Sequence, residues 1–471
     1  MASIRMKFAK SSINRVYDVS ILEIILAVIF VAFIHSAYVI SLLVLFVSIF
    51  LFCINFRLAV KFYIFVVLVS SAVDITSYDE KIKLVTHSVY LDYIGGLGVY
   101  TLLTVFLAGV CLLYLLVLNR HLKISKSILF GILLPLSVPM YGIFINSFKA
   151  FFSDSGLFVG TFVGFMLAYI ASMRLAEFIK LIMLAILSTA IFHVLLALSS
   201  GHLIYYGAIG NLYPILFLLW SNITVGIKCL YIPLAVANLI IFPGRSRIAG
   251  YVYSLFLLGV QNVTSIFAFI RVLLLYLLVT FVILALLSYM SEHTSNFLFW
   301  KLTSFTGSSE ADISSYTRIL ELQNIIMLDL HNVVHFFIGG GYGSCFSDTY
   351  YPYPDYVLYG DSNYPPEQIA SHCFVKPHLN ISVLLLKAGM VLSVVFFIVL
   401  FYQIFIVLRR NIKAAILGEE WKILYFTPFW FLVAYNQQKF VIFGLFVYLL
   451  NQAILMSRST VMRSETNIVA T

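Results

Sequence analysis

His378 stands where the longest polar stretch of the chain gives way to apolar residues, in the segment KPHLN. A histidine at such a boundary can titrate near neutral pH and take a proton from a hydroxyl group, as a general base does. Lys376 and Asn380 flank it and could contact a polar substrate. The alternative is a polar residue at a membrane–water boundary that takes no part in chemistry.

Three arginines could bind an anionic substrate. Arg318 stands alone among neutral and acidic residues, and Arg245 and Arg247 bracket a serine in the sequence FPGRSR. The guanidinium group binds phosphate through two parallel hydrogen bonds, so these residues are candidates for a phosphate site. Two alternatives remain open: Arg318 could pair with Glu321 one helical turn later, and the other two could anchor a cytoplasmic turn.

A glycine-rich segment, FIGGGYGS, lies between these residues in the same polar stretch. Gly339, Gly341 and Gly343 can adopt positive φ angles, and consecutive backbone N–H groups in such a turn can hold an anion. The segment lacks the flanking strand and helix of a dinucleotide site and the GK[ST] of a P-loop. The alternative is a flexible turn after an interfacial helix.

The composition determines which elements must position these residues. Hydrophobic residues make up 62% of the chain and charged residues 10%, with a mean hydropathy of +1.03. That much apolar surface cannot be buried in a soluble core, and the apolar runs are continuous, so the chain is expected to form membrane-spanning helices. The net charge of +9 does not indicate nucleic-acid binding, because Lys and Arg lie between apolar runs, as topogenic residues do.

The apolar runs predict an all-α polytopic membrane protein with about 12–14 transmembrane helices. The predicted division is transmembrane helices over 1–290, a large loop over 291–378 and C-terminal transmembrane helices over 379–471. The stretch 211–242, charged only at Lys228, fits one tilted helix or two short ones, and we favour two short helices that turn at that lysine. With the N-terminus in the cytoplasm, the large loop lies outside, where Cys345 and Cys373 could form a disulfide bond or remain free.

In their order, these motifs are similar to those of the O-antigen polymerase/ligase superfamily, integral membrane enzymes that act on undecaprenyl-diphosphate-linked glycans. In this chain the motifs are RSRIAGYVYSLFLLG, ISSYTRILELQNI, IGGGYGS and HLNISVLLLKAG, with GAIGNLYPILF upstream. They span roughly residues 200–410. Leu379 separates the histidine from the asparagine, which are usually adjacent, and His202 is the basic residue nearest to a position where an arginine is often found.

The resemblance implies a GT-C-like fold in the bacterial inner membrane and a glycosyltransferase site that faces the periplasm. A hydroxyl group of one lipid-linked repeat unit would attack C1 of the donor sugar with inversion, and undecaprenyl diphosphate would leave without help from a metal or cofactor. His378 would take the proton, and Arg318 and Arg247 would stabilise the leaving group. The expected substrate-binding residues are Arg245, Lys376, Asn380, Gly339, Gly341 and Gly343.

The expected function is polymerisation of O-antigen or a related surface polysaccharide, with a chain-length regulator and a flippase as possible partners. A ligase of the same superfamily, which moves the finished glycan to another lipid, is one alternative. The other is a flippase or transporter of lipid-linked oligosaccharides. A transporter is expected to carry polar residues along a path through its helices, or an internal repeat, and neither is evident in the sequence.

Overall fold

The computed structural model describes the parts of the chain from which the fold can be built. These are residues 17–34, 47, 50–52, 54–70, 93–94, 97–118, 122–200, 211–241, 245–261, 267, 270–271, 274, 278, 313–354, 364, 366–375, 377–434 and 437–469.

Helices dominate the first half of the described chain. The only strands in the described residues, β1 (Tyr93–Ile94) and β2 (Leu97–Gly98), form a short antiparallel ribbon. A composite helix, α4, spans Lys126–Phe144 and contains a π-helical stretch (Leu129–Leu133) and a final 3₁₀ stretch (Val138–Phe144). The other helices are α1 (Ile21–Ile34), α2 (Phe56–Ser70), α3 (Val99–Leu118), α5 (Phe148–Asp154), α6 (Gly156–Ile170), α7 (Leu175–Ser200), a 3₁₀ helix (Tyr213–Asn222), α8 (Val225–Ile241) and α9 (Arg245–Gln261).

The second half contains the polar stretch and the C-terminal helices. The helices of the polar stretch are α10 (Ile313–His331), α11 (Val333–Ile338) and α12 (Pro366–Ser371). Helix α13 (Asn380–Phe401) continues through a π-helical stretch (Tyr402–Leu408) into Arg409–Lys413. A 3₁₀ helix (Glu419–Phe426), α14 (Thr427–Val433) and α15 (Gln437–Val469) follow.

The expectation of a helical membrane protein is supported by the length and composition of these helices. Four of the described helices are long and apolar enough to cross a membrane: Lys126–Phe144, Leu175–Leu195, Asn380–Lys413 and Lys439–Ser459. Four shorter apolar helices accompany them in the described part of the chain: Ile21–Ala32, Thr104–Val117, Gly156–Ile170 and Val225–Ala237. Large apolar side chains such as Leu116 and Phe144 stay exposed on their surfaces, as lipid contact requires.

The prediction of a turn at Lys228 is wrong. The chain turns at Ile223 and Thr224, between the 3₁₀ helix and α8, and Lys228 lies within α8. The Lys228 ammonium group lies 5.3 Å from the ring centre of Trp220, so it forms a cation–π contact from the first helical turn.

Helices α6 and α15 approach each other closely in the core. A Cβ atom on Gly164 would lie 1.9 Å from the backbone oxygen of Val441, and one on Gly444 would lie 2.1 Å from that of Thr161. Only glycine permits this approach, which is the kind of contact that drives helix association in lipid.

The two ends of the helix bundle differ in their polar contacts. Glu177 pairs with Arg57 at 3.0 Å and Lys61 at 2.8 Å, and Lys180 pairs with Glu23 at 2.6 Å. We call this the charged end. Helix α13 runs from Asn380 to the basic group Arg409–Lys413, and its N-terminus meets the polar stretch at the other end, which we call the loop end.

The polar stretch folds into a packed unit at the loop end. Its described residues, 313–354, 364, 366–375 and 377–378, form what we call the loop lobe. The lobe has its own buried apolar cluster, which also includes Leu385 and Leu386 of α13. This cluster joins the lobe to α13. The other members are Leu320, Ile325, Phe346, Tyr353, Tyr364, Ile369 and Phe374.

Candidate active site

The predicted base, His378, contacts a buried carboxylate. The side chain of Glu321 in α10 is fully buried, and its Oε1 accepts a short hydrogen bond from His378 Nδ1. Its Oε2 accepts a second bond, of 3.0 Å, from the backbone N–H of His378. About 20% of the His378 side chain remains exposed. The carboxylate therefore holds both the ring and the backbone of the histidine.

This contact fixes the tautomer of the imidazole. An ionised carboxylate can only accept hydrogen bonds, so Nδ1 carries a hydrogen and the lone pair of the neutral ring is on Nε2. A histidine oriented by a carboxylate in this way is the arrangement found in many general bases. In a neutral His378 ring, Nε2 is therefore the atom that can take a proton from a substrate.

Aromatic residues enclose the pair. The Tyr364 hydroxyl group also donates to Glu321 Oε1, and the Tyr364 ring meets that of His378 edge to face, with 5.3 Å between centres. Tyr353 stacks on Tyr364 at 6.1 Å. Burial, followed by the negative charge of Glu321, raises the pKa of Tyr364 far above its usual range, so its hydroxyl group remains a donor.

Arg318 lies one helical turn before Glu321 on α10, so both side chains leave the same side of the helix. The alternative in which Arg318 pairs with Glu321 is not found: among the described residues, Glu321 accepts from His378 and Tyr364. The Nε atom of Arg318 is buried and has no hydrogen-bond partner among them. A buried N–H donor without an acceptor is costly, and an anionic ligand would supply the acceptor.

Asn380 connects the site to the membrane helices. Its side-chain amide donates short hydrogen bonds to the backbone oxygens of Phe431 and Ala434, at the C-terminal end of α14. These oxygens belong to the orphan carbonyl groups that end a helix. The structure thus gives Asn380 a supporting role, two residues from His378, and its predicted contact with substrate remains a prediction.

The Arg245–Arg247 turn lies at the loop end as well. Gly250 of α9 faces Phe429 of α14, and Tyr253 donates to the backbone oxygen of Tyr425 at 2.8 Å. Later residues of α9 therefore contact earlier residues of the segment formed by the second 3₁₀ helix (Glu419–Phe426) and α14, so the two segments run in opposite directions. By this register, Arg247 lies level with the end of α14, where Asn380 is bound.

The guanidinium group of Arg247 is turned toward the protein. Only 5% of the residue is exposed, and it interacts electrostatically with Tyr213 and Tyr251. For Arg245 the structure describes only the backbone, as the first residue of α9, and Lys376 lies outside the described residues. Of the predicted site residues, α10 and the start of α13 bring together Arg318, His378 and Asn380.

The glycine turn packs against two helices. Gly389 has a φ of +80°, which interrupts α13 and frees carbonyl groups in the turn before it. The N–H groups of Gly340 and Gly341 donate to the freed oxygens of Leu386 and Lys387, at 2.9 and 3.0 Å.

The remaining amides of the turn also have partners. Gly339 donates to His335 O, Tyr342 to Pro139 O and Gly343 to Asp154 Oδ2. An anion bound by these amides would have to displace existing hydrogen bonds. The substrate-binding role of Gly339, Gly341 and Gly343 thus remains a prediction, whereas their packing role is visible.

A buried ion pair and a disulfide bond hold the loop lobe on the helices. Lys387 Nζ lies 2.6 Å from Asp154 Oδ2 and donates to the backbone oxygens of Ser344 and Val375, and both charged side chains are almost fully buried. Cys345 and Cys373 form a disulfide bond, next to the paired backbones of Phe346 and Phe374. These contacts tie the segment that precedes His378 to α13.

Sequence reasoning missed the partners of the predicted residues. Glu321 and Tyr364 are 57 and 14 residues from His378, and no local spacing signals that they meet. Asp154 and Lys387 were likewise absent from the predicted site. A charged residue inside an apolar run, as Lys387 is, was the available signal that a buried partner exists.

A cavity in the described part of the chain lies far from the Glu321–His378 pair. It has a volume of about 1000 Å³ and is at the charged end, where Arg174, Glu177 and Trp421 line it. The chemistry-bearing residues are at the loop end, so we assign the candidate site by side-chain geometry rather than by this cavity. Comparisons with protein-family models, curated proteins and solved structures gave no match.

Proposed function

We propose that this protein is an integral membrane glycosyltransferase that polymerises lipid-linked glycans, as an O-antigen polymerase does. The observation that carries the proposal is the buried Glu321 bound to His378 Nδ1, with the unpartnered Nε of Arg318 one helical turn away. Arg318, an anion-binding donor, and Glu321, which holds the proton acceptor His378, are thus one turn apart on α10. The order of motifs along the chain supports the same class of enzyme.

In the proposed reaction, two glycans on polyprenyl diphosphate carriers meet at the loop end. The hydroxyl oxygen of the acceptor repeat unit bonds to C1 of the donor sugar as its proton passes to His378 Nε2. The bond from C1 to the diphosphate oxygen breaks, and undecaprenyl diphosphate leaves with the bonding electron pair. One displacement of this kind inverts the anomeric centre.

Glu321 stabilises the imidazolium that this step creates. Its carboxylate is fully buried, where the attraction between opposite charges is stronger than in water. The Tyr364 hydroxyl group, which also donates to Glu321, keeps the carboxylate in place. His378 is therefore the proposed general base, and Glu321 and Tyr364 are its positioning residues.

Arg318 is the proposed contact for the leaving diphosphate. A diphosphate oxygen would accept the hydrogen bond that Arg318 Nε lacks, and the guanidinium charge would stabilise the charge that develops as the carrier leaves. Arg247, buried at the same end of the bundle, is proposed as the second contact. Arg245, Lys376 and Asn380 complete the proposed set.

The proposed location is the bacterial inner membrane, with 12–14 helices in a GT-C-like arrangement and the loop lobe in the periplasm. The disulfide bond between Cys345 and Cys373 supports the periplasmic side, because disulfides persist in oxidising compartments.

The test is a gel of surface lipopolysaccharide from a deletion strain of the source organism, complemented with wild type, Arg318→Ala, His378→Ala or Gln323→Ala. Gln323 is an exposed residue of α10 and serves as the matched control. We expect single repeat units in the deletion strain and a restored ladder with wild type and Gln323→Ala. The other two variants, at equal protein levels, should give no ladder.

Other patterns would contradict the proposal. Bare core with polymer retained on the lipid carrier would indicate the ligase reaction. Loss of all glycan at the outer face would indicate a flippase. A normal ladder in the deletion strain would exclude all three functions.

A further inference from the structure

Two adjacent tyrosines lie on the surface of the loop lobe beside the candidate site. Tyr350 and Tyr351 are each 39% exposed, whereas Tyr353, two residues on, is buried in the core of the lobe. The ring of Tyr350 stacks on that of His331 with 5.0 Å between centres and 25° between planes. We call Tyr350, Tyr351 and His331 the aromatic platform.

Hydrogen bonds from a buried side chain fix the backbone of the platform. Asn324 of α10 is fully buried, and its Oδ1 accepts from the N–H groups of Tyr350 and Tyr351 at 3.2 and 2.9 Å. Its Nδ2 donates to the backbone oxygen of Tyr351 at 2.8 Å. Asp348, also buried, accepts from Tyr353 N–H at 3.1 Å and contacts His372.

His331 is fixed as well. Its Nδ1 lies 2.8 Å from the backbone oxygen of Met327, which can only accept, so Nδ1 is the donor. The rings of Tyr350 and His331 and the backbone of Tyr351 are therefore positioned by the protein before any ligand binds. Such fixed aromatic surfaces bind with little loss of conformational entropy.

Helix α10 connects this platform to the partner of the proposed base. Asn324, which holds both tyrosines, follows Glu321 by three residues, which is about 5 Å along the same face of the helix. Tyr353 extends the same segment inward and stacks on Tyr364, which donates to Glu321. One continuous set of contacts joins the platform to the Glu321–His378 pair.

We propose that the aromatic platform binds the glycan of the lipid-linked substrate by stacking sugar rings on Tyr350 and Tyr351. The apolar C–H face of a pyranose carries partial positive charge and suits the negative face of an aromatic ring. The tyrosine hydroxyl groups remain at the rim, where they can bond sugar hydroxyls or water. This inference rests on the proposed function, since it assigns the glycan that the site processes.

The platform is expected to act on chain growth rather than on proton transfer. A polymer lying on the rings would stay near the site between additions, and its loss would shorten the product. The first linkage between two repeat units would still form, because His378, Glu321 and Arg318 are unchanged. Product length therefore separates the platform from the catalytic residues.

The test uses the complemented deletion strain and the lipopolysaccharide gel, with protein levels and thermal unfolding checked for each variant. The variants are the pairs Tyr350→Ala/Tyr351→Ala, Tyr350→Leu/Tyr351→Leu and Tyr350→Phe/Tyr351→Phe. Phe337→Ala, which removes another exposed aromatic ring of the loop lobe, is the matched control. The leucine pair retains apolar volume without a ring face, which guards against a variant that fails to fold.

We expect the alanine and leucine pairs to shorten the average chain about threefold or more, from a stacking affinity lowered by roughly tenfold. The phenylalanine pair and Phe337→Ala should give the wild-type ladder. A wild-type ladder from folded alanine or leucine pairs would overturn the platform alone. Failure of wild type itself to restore a ladder would overturn the proposed function and, with it, the platform.

Discussion

A buried carboxylate that contacts a histidine fixes which ring nitrogen carries the hydrogen, as well as the position of the ring. Glu321 does this for His378, since it accepts from both Nδ1 and the backbone N–H. The arrangement requires a fully desolvated carboxylate, which is stable only because Tyr364 and His378 supply donors. At the scale of single residues, the candidate chemistry thus depends on Glu321 as much as on the histidine.

A second carboxylate of α10 gives a test that does not depend on the reaction. Asp329 is fully buried, its oxygens have no hydrogen-bond partner among the described residues, and His335 Nδ1 lies 3.8 Å away. Burial raises the pKa of Asp329, and His335 opposes this only in part. The folded protein therefore binds the proton of Asp329 more tightly than the unfolded chain does.

The stabilising contribution of the protonated Asp329 is present below its unfolded pKa and is lost as the pH rises through the raised pKa of the folded state. Asp329→Asn mimics the neutral acid, so we expect it to increase the free energy of unfolding at pH 7–8. This increase in the free energy of unfolding should disappear toward pH 4. Thermal unfolding in detergent across this pH range measures both effects.

Asp348→Asn is the control for this measurement. Asp348 is also buried in the loop lobe, but it accepts from Tyr353 N–H and pairs with His372 at 2.8 Å. Its replacement should lower stability at neutral pH. A loss of stability in Asp329→Asn at pH 7–8 would contradict the account of Asp329.

At the scale of elements, the interrupted helix α13 and the glycine turn form one structural unit. Gly389 opens the helix, and the N–H groups of Gly340 and Gly341 take up the oxygens that this frees. The turn also packs on α4, where Tyr342 donates to the backbone oxygen of Leu136 at 2.8 Å. The attachment of the loop lobe to the bundle therefore includes backbone contacts at Gly340 and Gly341 that leave no room for a side chain.

Gly341→Ala tests this attachment. Gly341 has a φ of +75°, and a Cβ atom there would lie 2.8 Å from Gly142 Cα, so alanine is strained and also clashes. We expect a loss of about 2–4 kcal/mol in the free energy of unfolding. Gly226→Ala is the control, because a Cβ atom at that helical position meets nothing within 4 Å. It should change stability by less than about 1 kcal/mol, and equal effects of the two substitutions would refute the proposed attachment.

Periodicity and residue type predict some of these elements and fail at others for identifiable reasons. The start of α13 at Asn380 follows from the change in polarity after Pro377. The break between α10 and α11 does not, because Asn332 starts a new helix by accepting from Val334 and His335 N–H, a local contact in an otherwise helical pattern.

In the candidate site as well, the sequence predicts some features and misses others. His378 and Arg318 are recognisable by type, since few residues in so apolar a chain can hold a proton or an anion. Glu321 was assigned to Arg318 as its alternative partner because helical spacing is visible in sequence, whereas a contact across 57 residues is not. Likewise, the glycines indicated a special turn, but not that its N–H groups bind the carbonyls of an interrupted helix.

At the scale of the whole molecule, the two ends of the bundle have different chemistry. Partly exposed ion pairs among Arg57, Lys61 and Glu177 mark the charged end, and the disulfide-bonded loop lobe occupies the other. Basic residues at one end and a disulfide at the other are typical of a cytoplasmic and an extracytoplasmic face, respectively. The proposed orientation follows from that difference.

Labelling with a membrane-impermeant maleimide tests this orientation. In a chain whose exposed free Cys229 is replaced by alanine, we expect Gln323→Cys, in the loop lobe, to react when the label can reach the outer face of the inner membrane. Lys413→Cys, at the charged end, should react only after the membrane is opened. The reverse pattern would place the loop lobe in the cytoplasm and remove the proposed site from the periplasm.

The most direct test of the central claim is release of undecaprenyl diphosphate by purified protein in lipid nanodiscs, supplied with the lipid-linked repeat unit of its own host. Wild type should release the carrier and extend the glycan, and His378→Ala and Glu321→Gln should be slower by about 10²–10⁴-fold and 10-fold or more, respectively. Arg318→Lys, which keeps the charge but lacks Nε, should also lose activity. Wild-type rates in folded His378→Ala protein would contradict the assignment of His378 as the base and, with it, the proposed site.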